Sequence, residues 1–211
     1  MSSKNTKRAY RMRRRAELQE QTRLRITEAA VELHGTVGPA RTSVTAVAER
    51  AGVERATVYR HFPDERALFL ACSGHWRAAN PAPDPAAWAA VADPDVRLRQ
   101  ALAELYAYYG RTEQMLANLH RDERVVPMVA ELMAGGFRAR LGALRDALMH
   151  GRDERGRARR DVRAALGHAI AFTTWSSLVR AEGLDDAQAV RLMCGLVAAA
   201  GAPLGGRSHR D

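Results

Sequence analysis

Arg55, Thr57, Tyr59, Arg60 and His61 fall within the short segment RATVYRH. A guanidinium can make paired hydrogen bonds to a phosphate or to a guanine edge, and hydroxyl and imidazole groups suit either target. The set is built for recognition of a polyanion and lacks the partners needed for bond-making chemistry. No Gly-rich phosphate loop, GxSxG elbow or HExxH pair occurs in the chain. His120, Asp122 and Glu123 are close in sequence but straddle a polar break, RDER at 121–124, so no metal site is expected there. Cys72 and Cys194 are the only cysteines, lie far apart and show no CxxC or Cys/His spacing. They are expected to be buried thiols of a reducing cytoplasm. Neither an enzyme nor a cofactor is expected.

The stretch around these residues, TSVTAVAERAGVERATVYRHF, reads as two short helices. Val44, Val47, Ala48 and Ala51 recur at i, i+3, i+4 and i+7, one face of a helix. Thr42 or Ser43 can cap it with a side-chain oxygen. Gly52 can take the positive φ at which helices often stop. The second helix spans about 55–61, with Val58 and Phe62 as core candidates, and ends before Pro63, which has no amide proton. Two such helices joined by a tight Gly turn form a helix-turn-helix. Before it, Ile26, Ala29, Ala30 and Leu33 predict a helix over 17–34, stopped by Gly35, Gly38 and Pro39. Val37, Val44, Val47, Val58 and Phe62 are expected in one small core, and Arg23 and Arg25 in solvent.

Charge sits where this unit needs it. The chain carries a formal +9. Residues 1–62 hold 13 Lys/Arg against 6 Asp/Glu, and residues 63–211 hold 20 against 18. A basic excess on a helix-turn-helix attracts nucleic acid. Residues 1–15 hold seven basic residues and no acid, a segment expected to be disordered alone and to act as an arm along DNA. Arg13 and Arg14 are its candidate contacts.

Further along, Asp64 is an N-cap for a helix to about residue 79. Residues 80–95 hold four prolines and read as a loop anchored by Trp88. Helices are expected over about 96–110, 112–120, 126–150, 161–181 and 185–201. Residues 151–160, GRDERGRARR, read as an exposed charged linker. A hydrophobic content of 46% supports a packed helical protein. No apolar run approaches the roughly 20 residues of a membrane span, and no secretory h-region follows the basic start. Cytoplasmic location without membrane contact is expected.

The stretch TSVTAVAERAGVERATVYRHFPDERALF resembles the DNA-binding motif of the TetR family of bacterial transcription regulators. The matching features are the Ala48–Gly52–Val53 turn, Thr57-Val58-Tyr59, His61-Phe62-Pro63 and Ala67-Leu68-Phe69. Two residues depart from the pattern. Glu54 stands where the family often has a capping Ser, so weaker capping of the recognition helix is expected. Glu65 stands where a basic residue often meets phosphate. The resemblance implies an all-α fold: a basic arm over 1–16, a three-helix helix-turn-helix domain over 17–63 and a larger helical ligand-binding and dimerisation domain over 64–211. It implies a homodimer placing two recognition helices in successive major grooves of a palindromic operator. Arg55, Thr57 and Tyr59 are the expected base-edge contacts, and Thr42, Thr45 and His61 the expected phosphate contacts.

In the family the last two long helices pair with their copies. That implies a dimer seam here, with Ile170, Val190, Met193 and Val197 as its candidates. The family also places a small-molecule cavity among the second domain's helices. Tyr106, Tyr109, Met115, Met128, Phe137, Phe172 and Trp175 are the expected lining, suited to a mostly apolar effector that releases the operator. The rival reading is an architectural or constitutive DNA-binding protein without an effector. It would not require so large a second domain.

Overall fold

The computed structural model describes residues 2–88 and 90–202, with the backbone alone over 2–7 and at 9. Every regular element among them is helical. The chain divides into two compact units. The first comprises residues 1–81 and 117–131, the second 82–116 and 132–211.

The first unit opens with α1, Ser2–Thr36. The helix is longer than its apolar stripe predicts, and it runs through the basic segment expected to be disordered. Side chains of residues 10–20 are exposed, and the buried stripe begins at Ile26 with Ala29 and Ala30. A 3₁₀ turn, Pro39–Arg41, leads to α2, Val44–Ala51. Ser43 caps α2, its side chain accepting from the Ala46 amide at 3.1 Å. Gly52 ends it at φ 65°, the left-handed conformation that favours glycine. The recognition helix α3 is Arg55–His61, and α4 is Glu65–Ala79 with Asp64 as its N-cap. Ile26, Val44, Val47, Val58 and Phe62 share the core, but Val37 is 39% exposed and does not join it.

This unit recruits residues far beyond position 63. The helix α5, Pro94–Asp122, contributes its last turns to it. Asn118 donates from Nδ2 to the carbonyls of His34 and Gly35, both at 2.9 Å, closing the orphan carbonyls at the end of α1. Arg121 donates to the Val37 carbonyl at 2.9 Å. The buried Asp122 carboxylate accepts from the Ala40 amide at 2.9 Å and from Arg121 Nε at 2.7 Å. Burial pushes the Asp122 pKa up, but the bonds from Arg121 and Ala40 outweigh it, and the net shift is downward. Gly38, at φ 93°, lies under this cluster: a Cβ there would collide with the Arg121 guanidinium and the Asp122 carboxylate. Asp122→Ala is expected to lower the stability of this unit by about 2 kcal/mol, since a charged hydrogen bond contributes about 1.5–3 kcal/mol. Urea unfolding followed by circular dichroism measures it. An unchanged midpoint would mean that the turn is held without the carboxylate.

The second unit holds the rest of α5, a single helix that Gly110 does not interrupt. Trp88 is buried and donates from Nε1 to Glu104 at 2.9 Å, anchoring the Pro-rich loop. Helix α6, Pro127–Leu132, ends as this unit resumes and continues through a π-helical turn, Met133–Arg138, into α7, Ala139–Met149. The wider turn falls on the Gly135-Gly136 pair. Within the expected linker, the Arg152 side chain is almost fully buried. It is bonded to Asp95 at 2.9 Å, to the Pro94 carbonyl at 3.3 Å and to the Leu148 carbonyl at 3.2 Å. The expected helix over 161–181 is broken: α8 is Gly156–Ala169 and α9 is Phe172–Ser176, extended by a π turn, Ser177–Ala181. Tyr106 and Tyr109 donate to the Ala169 and Ile170 carbonyls at 2.8 and 2.6 Å, satisfying the acceptors at the break. The last helix, α10, is Asp186–Gly201, started by a capping box between Asp185 and Gln188.

Candidate nucleic-acid interface

The recognition helix α3 is seven residues long and too short to be stable alone. Val58 and Phe62, both 1% exposed, seat it in the core of the first unit. Its N-cap is Glu54, whose side chain makes no capping bond, as the departure from the family pattern implies. The buried side leaves the other face open. Arg55, Tyr59 and Arg60 are exposed and Thr57 is half-buried.

These side chains are held in pairs before any ligand arrives. Arg55 donates to the Tyr59 hydroxyl at 3.3 Å, with its guanidinium 5.5 Å from the ring centroid. Arg60 donates to the Thr57 hydroxyl at 3.2 Å. Such i, i+4 and i, i+3 pairs reduce the rotamer freedom that binding must remove. His61 is half-buried. Its pKa is lowered by burial first and then by the cations Arg60 and Arg23.

Thr45 is exposed on α2. Thr42 is half-buried, and its hydroxyl donates to the Gly38 carbonyl at 2.9 Å, so it is engaged in the turn before α2. Arg13 and Arg14 are exposed on α1, with Arg13 paired to Glu17 at 3.1 Å. Glu65 is exposed at the start of α4, while the neighbouring Arg66 pairs with Glu131 at 2.7 Å.

Arg23, read from the sequence as solvated, is half-buried instead. It donates to the His61 carbonyl at 2.8 Å and lies 4.2 Å from the centre of the Phe62 ring. Its distance of 38 residues from His61 hides this contact from any local pattern.

The other candidate residues are differently placed. Tyr106, Tyr109, Phe172 and Trp175 are buried and pack ring against ring. The Tyr109 centroid lies 5.5 Å from Phe172 and 6.0 Å from Trp175. Trp175 donates to Asp186 at 2.9 Å. Met115 is buried and Phe137 half-buried in the same unit, whereas Met128 belongs to the first unit. Ile170, Val190, Met193 and Val197 are at most 5% exposed within a single protomer. Their side chains pack within the protomer's own second unit. The large apolar residues left exposed on α10 are Leu192 and Leu196, one helical step round from the buried stripe.

Cys72 is buried, its Sγ 3.5 Å from His34 Nδ1, and burial pushes its thiol up to about 11. Cys194 is half-buried, and burial raises its pKa as well. His120 and Glu123 lie 3.9 Å apart, while Asp122 is committed to Ala40 and Arg121. No helix among the described residues is long and apolar enough to cross a membrane.

Residues 26–72 match the family model for bacterial regulatory proteins of the tetR family. The matched segment runs from the start of the buried stripe of α1 into α4 and contains α2 and α3 whole. No curated protein matches the sequence significantly. Solved structures share the fold. A protein described as a TetR-family transcriptional regulator from Mesorhizobium loti is 18% identical, with a TM-score of 0.59 over 86% of this chain and 96% of that one. A transcriptional regulator from Rhodococcus sp. Rha1 is 20% identical, with a TM-score of 0.53 over 84% and 96%. A TetR transcription regulator from Haloarcula marismortui is 14% identical, with a TM-score of 0.55 over 86% and 97%. At these identities the likeness is one of fold.

Proposed function

We propose that this chain, a tetR-family transcription regulator by its amino-terminal segment, is a cytoplasmic repressor that binds a palindromic operator as a homodimer. The observation that carries the reading is the exposed face of α3, where Arg55, Thr57, Tyr59 and Arg60 stand beside a core that fixes the helix. A two-fold dimer sets two such faces about 34–36 Å apart, one turn of B-DNA. Arg55, Thr57 and Tyr59 meet base edges. Thr42, Thr45 and His61 meet phosphates, with Arg13 and Arg14 adding charge along the backbone.

Operator release is assigned to a mostly apolar small molecule bound in the second unit. Tyr106, Tyr109, Phe172 and Trp175 are already in ring contact, so the ligand must displace part of that packing. Such a ligand acts through its different affinity for the open and packed states. Constitutive DNA binding without an effector remains the rival, and a compound screen read out by operator release separates the two.

Selection of bound duplexes from a random pool tests the core of the proposal. Inverted repeats are expected, with log affinity falling against log salt by about 0.9 per neutralised phosphate. Thr57→Ala and Tyr59→Phe should each weaken the selected site by about 1 kcal/mol or more, the scale of one lost polar contact, at unchanged helix content. A pool that stays random would remove the regulator reading. Two silent variants would move the recognition face elsewhere.

A further inference from the structure

Helix α3 ends with a carbonyl that its own backbone does not use. The Phe62 amide returns to the Val58 carbonyl at 2.8 Å, which leaves the His61 carbonyl beyond the last intrahelical bond. A cation beside such a carbonyl is favoured twice, by the hydrogen bond and by the negative end of the helix dipole. Arg23 of α1 supplies it. Its Nη1 donates to that carbonyl at 2.8 Å, and the same guanidinium lies over the Phe62 ring, its Cζ 4.2 Å from the centroid.

The need for such a tie follows from the rest of α3. Its N-terminus has no side-chain cap, and Val58 is its one buried residue. One hydrophobic side chain and a following Phe62 fix the depth of the helix but resist rotation about its axis poorly. A planar group that contacts both the terminal carbonyl and the Phe62 ring fixes that rotation. Rotation is what decides whether Arg55, Thr57 and Tyr59 point at base edges or past them.

We propose that Arg23 is a positioning residue that sets the orientation of the recognition helix, and so the sequence specificity of DNA binding, without itself touching DNA. The proposal rests on the DNA-binding reading above. A merely electrostatic Arg23 would strengthen binding to every sequence. A positioning Arg23 acts on the selected site alone.

The experiment compares wild type, Arg23→Gln and Arg23→Lys by fluorescence anisotropy on the selected duplex and on a scrambled duplex across a salt series. Arg23→Gln is expected to lose about tenfold on the selected duplex, the scale of one charge-assisted hydrogen bond. It should stay within about twofold on the scrambled one, with the salt slope unchanged. Arg23→Lys keeps the charge but cannot lie flat on Phe62 while reaching His61, so it is expected to lose specificity partially. Equal losses on both duplexes, with a slope smaller by about 0.9, would make Arg23 a phosphate contact and overturn the proposal. So would unchanged specificity in both variants. A second arm needs no DNA: amide exchange of His61 and Phe62 should accelerate in Arg23→Gln while the Ile26 and Ala29 amides of α1 stay protected. If wild type itself fails to discriminate between duplexes, the regulator reading fails, and unchanged exchange at His61 and Phe62 would separately refute the tie.

Discussion

For the proposed operator-bound homodimer, Leu192→Glu with Leu196→Glu is expected to yield monomers and to weaken operator binding by about a hundredfold or more. Leu192 is 50% and Leu196 41% exposed, and they lie on the same side of α10 as Gly195 and Ala199, which are also exposed. A Cβ at Gly195 would meet nothing within 4 Å, so the backbone there is open to close approach. Leucines left in water on a packed helix are a natural seam for a second copy. Glutamates on both copies would put four carboxylates into that seam, each costly to desolvate. Two recognition helices held together gain about 10²–10⁴ over one, and monomers forfeit that gain. Because both leucines are exposed, helix content should persist in the double variant. Val190→Glu, by contrast, places a charge in the protomer's own core and should unfold it. Sedimentation velocity beside a gel-shift titration reads both effects. A double variant that still sediments as a dimer would relocate the seam.

Between pH 6.5 and pH 4 the first unit is expected to lose about 3 kcal/mol of stability through His34, at 1.36 kcal/mol per unit of pKa shift. His34 is buried beside Cys72 and Phe69, with ring centroids of His34 and Phe69 5.5 Å apart. Burial lowers its pKa to about 4, and Asp122 opposes the shift only in part. The folded pKa therefore lies below the unfolded one. Between the two values the unfolded chain binds the additional proton, so stability is full above pH 6.5 and falls as the pH drops toward 4. Urea unfolding at half-unit steps of pH should show this slope, and His34→Gln should flatten it. An equal slope in the variant would assign the acid sensitivity to other groups.

The sequence by itself determined the elements whose residues are close together. Val44, Val47, Ala48 and Ala51 define α2, a cap at Thr42 or Ser43 and a stop at Gly52 bound it, and Pro63 stops the run after α3. Each rests on a period, a cap or a missing amide proton, all readable within a few residues. The basic excess of residues 1–62 and the likeness to TetR regulators were legible for the same reason.

Tertiary structure decided what depends on distant partners. Arg23 looked solvated because its partner, His61, is 38 residues away. Asp122 looked like part of a polar break, yet its carboxylate holds the turn before α2 from 82 residues away. Val190, Met193 and Val197 have the spacing of a contact stripe, but spacing does not say whose surface the stripe meets. In the folded protomer they are buried within the chain, and the next face round, Leu192 and Leu196, is left outside. The break between α8 and α9 carries no proline and was invisible for a related reason. The carbonyls it exposes are satisfied by Tyr106 and Tyr109, more than 60 residues earlier.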